Sequence, residues 1–149
     1  MKPVKQLLSF VLPLLFLLNS CATTANFDQY AYAQTTAVKV EALDLMSNAT
    51  QDDSLFTAQI KDIDIKLQKI FEYEKNRPKN DITVKMWKLL LDPNHHLYGG
   101  FIKRWQTDSK LSPTFVEEAK KQIASGFDKV AELESKKIPR TEESIKSFQ

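Results

Sequence analysis

The chain has 149 residues, 42% of them hydrophobic and 27% charged, with a formal net charge of +2. That length suits one domain, able to bury roughly two-thirds of its unfolded surface without a metal or disulfide to hold it. Cys21 is the only cysteine, which excludes an intramolecular disulfide, and a near-neutral charge argues against a dedicated nucleic-acid binder.

The first segment reads as an export leader. Lys2 and Lys5 precede residues 7–18, a nearly unbroken apolar run containing Pro13. A basic start followed by a short apolar stretch is the pattern of a secretory signal peptide. A spanning helix needs roughly 20 apolar residues, more than this run offers. The run closes on Leu18-Asn19-Ser20-Cys21. With an aliphatic residue three positions before the cysteine and a small residue just before it, this stretch resembles the lipobox of bacterial lipoproteins. The resemblance implies diacylglyceryl transfer to the Cys21 thiol, cleavage before Cys21, and two or three acyl chains on the mature N-terminus. Stable anchoring takes more than one chain, so that number is adequate. In the same family an Asp after the cysteine favours the inner membrane; Ala22 therefore points to the outer membrane, facing the periplasm. Ordinary secretion is the rival, because Ser20-Cys21-Ala22 also approximates a small-x-small cleavage site.

The expected organisation is a leader over residues 1–20, a polar tether over 21–26, a helical domain over 27–139 and a frayed polar tail over 140–149. Lys2 and Lys5 would leave with the leader, so the mature chain carries equal numbers of acidic and basic side chains. The charge is uneven. Residues 82–111 hold Lys85, Lys88, Lys103, Arg104 and Lys110 against Asp92 and Asp108, a net +3, and both Trp and both His lie in the same third.

Pro78, Pro93, Pro113 and Pro139 punctuate the mature chain between segments of helical periodicity. The first predicted helix covers about residues 28–48, with Tyr30, Ala31, Val38, Ala42, Leu45 and Met46 as its apolar positions and Gln34-Thr35-Thr36 interrupting them. The second covers about 54–76. Phe56, Ile60, Ile63, Leu67, Ile70 and Phe71 give it the clearest stripe in the chain. The third covers about 81–91, with Asn80 as N-cap, Ile82, Met86, Leu89 and Leu90 on one face, and Trp87 flanking. After the Asp92-Pro93-Asn94 turn, residues 101–105 predict a short helix. The last begins with Ser112 as N-cap and Pro113 at the first helical position, carries Val116, Ala119, Ile123, Phe127, Val130 and Ala131, and fades near residue 137. No alternating strand pattern occurs. The predicted fold is all-α, a small antiparallel bundle.

Catalytic signatures are missing from the sequence. There is no HExxH, GxSxG, Walker A or GxGxxG. His95 and His96 are adjacent, a spacing ill suited to sharing one metal, and zinc would want three or four ligands. No metal, cofactor or catalytic residue is expected. The best candidate site runs from Asp92 to Trp105, where Tyr98, Phe101, Lys103, Arg104 and Trp105 gather beside Gly99 and Gly100. Aromatic residues and arginine are favoured at interface hot spots, while the glycines permit a positive φ or a close backbone approach. Phe101 and Trp105, at i and i+4, could instead be a plug against the bundle, with the glycines turning the chain. The domain resembles small bacterial lipoproteins of unknown function. The expectation is a non-enzymatic, lipid-anchored envelope protein that binds an envelope protein, the cell wall or an anionic component, and not nucleic acid. The alternatives are a small-molecule or lipid-binding bundle and an enzyme using His95 or His96.

Overall fold

The computed structural model describes Ala25, residues 27–135 and Lys146. The expected leader, the Cys21 lipidation site, the tether apart from Ala25 and the expected tail apart from Lys146 lie outside the described residues. Among the described residues there are five α-helices, one 3-10 helix and no strand, so the fold is the all-α bundle that the periodicity predicts.

Helix α1 spans Gln29–Ser47 and is started by Asp28, whose carboxylate accepts the Ala31 N–H at 2.9 Å. Its buried positions are Ala31, Thr35, Val38, Ala42, Leu45 and Met46. Tyr30, expected among the apolar positions, is exposed instead. It precedes Ala31 by one residue, and one residue rotates a side chain about 100° away from the buried face. Thr35 is wholly buried in the stripe, whereas Thr36 turns its hydroxyl back to the Tyr32 and Ala33 carbonyls.

The second predicted helix is split. Asp53–Phe56 is a 3-10 turn, capped by the Asp52 carboxylate, and α2 spans Thr57–Lys75. Ile60, Ile63, Leu67 and Ile70 of α2 are buried. Burying each stabilises by about 1.5–3 kcal/mol. Beyond Pro78, Lys79 has a positive φ of 60° and the chain reverses into α3, Asp81–Leu91. Asn80 is not a side-chain cap for α3; its amide turns back and donates to the Glu74 carbonyl at 3.0 Å and to the Glu74 carboxylate. Trp87 is fully buried rather than flanking.

The short helix is longer than predicted: α4 spans Tyr98–Asp108, with both glycines inside its first turn. The last helix, α5, spans Pro113–Ser135 and buries every apolar position assigned to it.

Helices α1, α2, α3 and α5 close a ring, each packed on the next. Neighbours run antiparallel. Glu41 of α1 meets Lys66 of α2 at 2.7 Å, while Asp28 meets Tyr73 at the other end; Lys39 pairs with Asp128 of α5, while Ser47 receives Lys120. The core at the centre of this ring holds Met46, Leu67, Met86, Trp87, Ile123 and Phe127. Helix α4 and the 3-10 turn cover the end of the ring where α1 finishes and α5 begins. There Leu111 N–H donates to the Ala49 carbonyl at 2.8 Å and Asp53 N–H to the Ser109 carbonyl at 3.1 Å.

Candidate functional site

Helix α4 divides the five candidate side chains between two surroundings. Tyr98, Phe101 and Trp105 occupy i, i+3 and i+7 and face inward, all at 3% exposure or less. Trp105 donates its indole N–H to the Gln51 carbonyl at 2.9 Å and lies against Phe56 with centroids 5.6 Å apart. Phe101 stacks parallel on Phe115 at 6.0 Å, and Tyr98 meets Phe127 edge-on at 6.4 Å. Burial, with Asp64 nearby, pushes the Tyr98 phenol above its ordinary range. Phe101 and Trp105 thus pack against the bundle as a plug, and Tyr98 joins them. Tyr98 and Trp105 are sealed inside the bundle, while the edge of Phe101 borders the cleft between α4 and α5.

Lys103 and Arg104 face solvent. Lys103 donates to the Asn94 side chain at 3.1 Å. The Arg104 guanidinium lies over the Phe115 ring at 4.2 Å and 3.3 Å from Asp108. A guanidinium laid on an aromatic face loses little freedom when its remaining donors are engaged from outside.

The glycines explain how the basic edge is formed. Neither has a positive φ. A Cβ on Gly99 would collide with the Leu91 carbonyl, and one on Gly100 with the His95 carbonyl. The first turn of α4 is therefore pressed against the loop that carries the histidines. Two surface clefts result, sharing His95, His96, Gly100 and Arg104. One, of about 380 Å³, lies between α4 and α5 and adds Glu118 and Gln122. The other, of about 460 Å³, adds Lys103 and Asn94. His95 lies 3.7 Å from Asp92. The open rim sets the donors of Lys103, Arg104 and the histidines beside the carboxylates of Asp108 and Glu118, which also line the clefts. Among the described residues no group of three His, Asp or Glu side chains is placed to hold a metal, and no helix is long and apolar enough to cross a membrane.

A second polar cluster, which the sequence reading missed, lies at the opposite end. Glu74 of α2 and Glu134 of α5 are both fully buried. Arg77 reaches between them, with Nη1 2.8 Å from Glu74 Oε2 and 2.9 Å from Glu134 Oε2, and its Nε lies 3.7 Å from Asp28. Burial, reinforced by the Glu134 charge, pushes the Glu74 carboxyl up. The Tyr73 hydroxyl holds the Asp28 carboxyl down. A signal was present in the sequence. Glu74 follows Ile70 by four residues and Glu134 follows Val130 by four, so each continues the buried stripe of its helix. The cluster joins α2, α5 and the start of α1, and it is interior rather than open to a ligand.

Comparison with known proteins finds no family model, no curated protein and no solved structure that matches this chain.

Proposed function

We propose that the protein is a lipid-anchored, non-enzymatic component of a bacterial cell envelope that captures an acidic partner through the exposed edge of α4. Cys21 carries the acyl chains, and Ala22 after it favours the outer membrane, facing the periplasm. Lys103 and Arg104, with His95 and His96 beside them, are the recognition groups; Tyr98, Phe101 and Trp105 hold the helix that presents them. The observation that supports this reading best is the pairing of a stretch that resembles a lipobox, Leu18-Asn19-Ser20-Cys21, with the outward side chains of Lys103 and Arg104 over two clefts. The partner class is an envelope protein, the cell wall or another anionic component, recognised through carboxylate or phosphate groups.

Charges at such a rim act mainly through association rate and salt sensitivity. The test is crosslinking of the chain in intact cells that express it, at low ionic strength, followed by identification of what is captured. Lys103→Glu combined with Arg104→Glu is expected to weaken capture and to leave the thermal midpoint nearly unchanged. Undiminished capture by the folded double variant would remove α4 as the binding edge. The anchor is tested separately: wild type is expected to take up labelled fatty acid and Cys21→Ser to take up none. An unlabelled wild type would overturn the anchor.

A further inference from the structure

We infer that the bundle end opposite α4 seats in the membrane–water interface, with Phe27, Tyr30 and Tyr73 in contact with lipid. This rests on the anchoring at Cys21 proposed above and adds to it a fixed orientation of the domain.

The geometry starts at Ala25. Its N–H donates to the Lys79 carbonyl at 2.9 Å, which fixes the point where the chain joins the domain beside the turn after α2. Cys21 precedes Ala25 by four residues, and four residues span at most about 14 Å even when extended. The polar layer on each side of a bilayer is itself roughly 5–7 Å thick. Acyl chains on Cys21 therefore bring this end of the bundle to the headgroups, whatever path the intervening residues take.

What stands at that end is aromatic. Of the six large hydrophobic side chains exposed among the described residues, three are here: Phe27 at 47%, Tyr30 at 55% and Tyr73 at 38%. Single exposed hydrophobics are ordinary on a soluble protein. Two of the three meet here across separate segments of chain. Tyr30 packs edge-on against Tyr73 with centroids 4.9 Å apart, and Phe27 lies 6.4 Å from half-buried Tyr32. Tyrosine joins an apolar ring to a polar tip and is enriched where hydrocarbon meets water. The Tyr73 hydroxyl is held by Asp28, the residue that caps α1, so the ring pair is oriented by the same contacts that start the helix.

The neighbouring charges are mixed. Lys75 pairs with Glu72 at 2.7 Å, and Asp81 follows Lys79 closely. Attraction to the bilayer at this end is therefore by interfacial partition of the rings, and it is insensitive to salt, unlike capture by α4. Helix α1, which separates the two ends, has 19 residues and is about 28 Å long at ~1.5 Å per residue. Seated on its aromatic end, the domain holds α4 away from the membrane.

The test uses the full acylated chain reconstituted into vesicles of phosphatidylethanolamine and phosphatidylglycerol. In the acylated chain the Cys21 thiol is consumed, so a cysteine placed elsewhere is labelled alone. Tyr30→Cys, Phe27→Cys and, as the distal reference, Gln106→Cys each receive an environment-sensitive fluorophore. Positions 30 and 27 are expected to show blue-shifted emission that is largely lost when the lipids carry a shallow nitroxide, and position 106 to show neither change. Emission at 30 and 27 matching that at 106, on protein whose mass confirms acylation, would overturn the seating and leave the anchor standing. A blue shift without nitroxide quenching would mean that a second copy of the chain covers the rings, and would also overturn it. Absence of the acyl mass would remove the anchor and the seating together.

Discussion

Glu74 and Glu134 stand where the stripes of α2 and α5 would place the next aliphatic side chain. Their burial has a consequence for titration. The Glu74 pKa is raised above its ordinary 4.5, so between 4.5 and the raised value the folded protein binds more protons than the unfolded one. The stabilisation from protonation is complete below 4.5 and is lost as pH rises through the folded pKa. Asp64, pushed up by burial, acts in the same direction. Asp28 acts oppositely: its pKa is lowered by the Tyr73 hydroxyl, so its contribution is present above 3.8 and is lost as pH falls through the folded value. Stability is therefore expected to peak in mild acid rather than at neutrality. Urea denaturation across pH should show Glu74→Gln with a shallower fall between pH 4.5 and neutrality than wild type. An unchanged slope would exclude Glu74 as its source.

At the scale of the element, α4 shows what sequence can and cannot supply. Its basic and aromatic content was legible, as was the opposition of Phe101 and Trp105 to Lys103, because 3.6-residue periodicity separates them. Its length was not. Gly99 and Gly100 read as a turn, since glycine is a poor helix former, yet both lie within the helix because only a hydrogen side chain fits against the Leu91 and His95 carbonyls. Nor does local pattern show that Asn80 turns away from capping α3, because its partner, Glu74, is interior only once the helices have packed. Two substitutions separate plug from edge. Trp105→Ala is expected to destabilise by ~3–5 kcal/mol, because it empties a fully buried site and leaves the Gln51 carbonyl unmatched. Gly100→Ala is expected to cost roughly 1–3 kcal/mol through overpacking. Both are read from denaturant midpoints, and equality of either variant with wild type would contradict the packing described for α4.

For the whole molecule, the antiparallel bundle was legible from the lengths of the helices and the position of the prolines, but the order in which the helices close the ring was not. The tying of the far end did not follow from them. It depends on pairing between two turns some sixty residues apart, which periodicity within a helix does not encode. Amide exchange should register it. Asp53 and Leu111 lie outside the α-helices, where backbone protons ordinarily exchange within the local fluctuations of a loop. Here each is donated to a carbonyl of the other turn, Asp53 to Ser109 and Leu111 to Ala49. Neither amide can meet water until the two turns part, and with Trp105 lodged beside Gln51 they part only as α4 lifts. Both amides are expected to exchange at the slow rate of the α4 interior, measured by hydrogen–deuterium exchange, and exchange as fast as that of exposed Asn94 would contradict this. Two loop protons thus serve as a clock for the opening of the α4 cap.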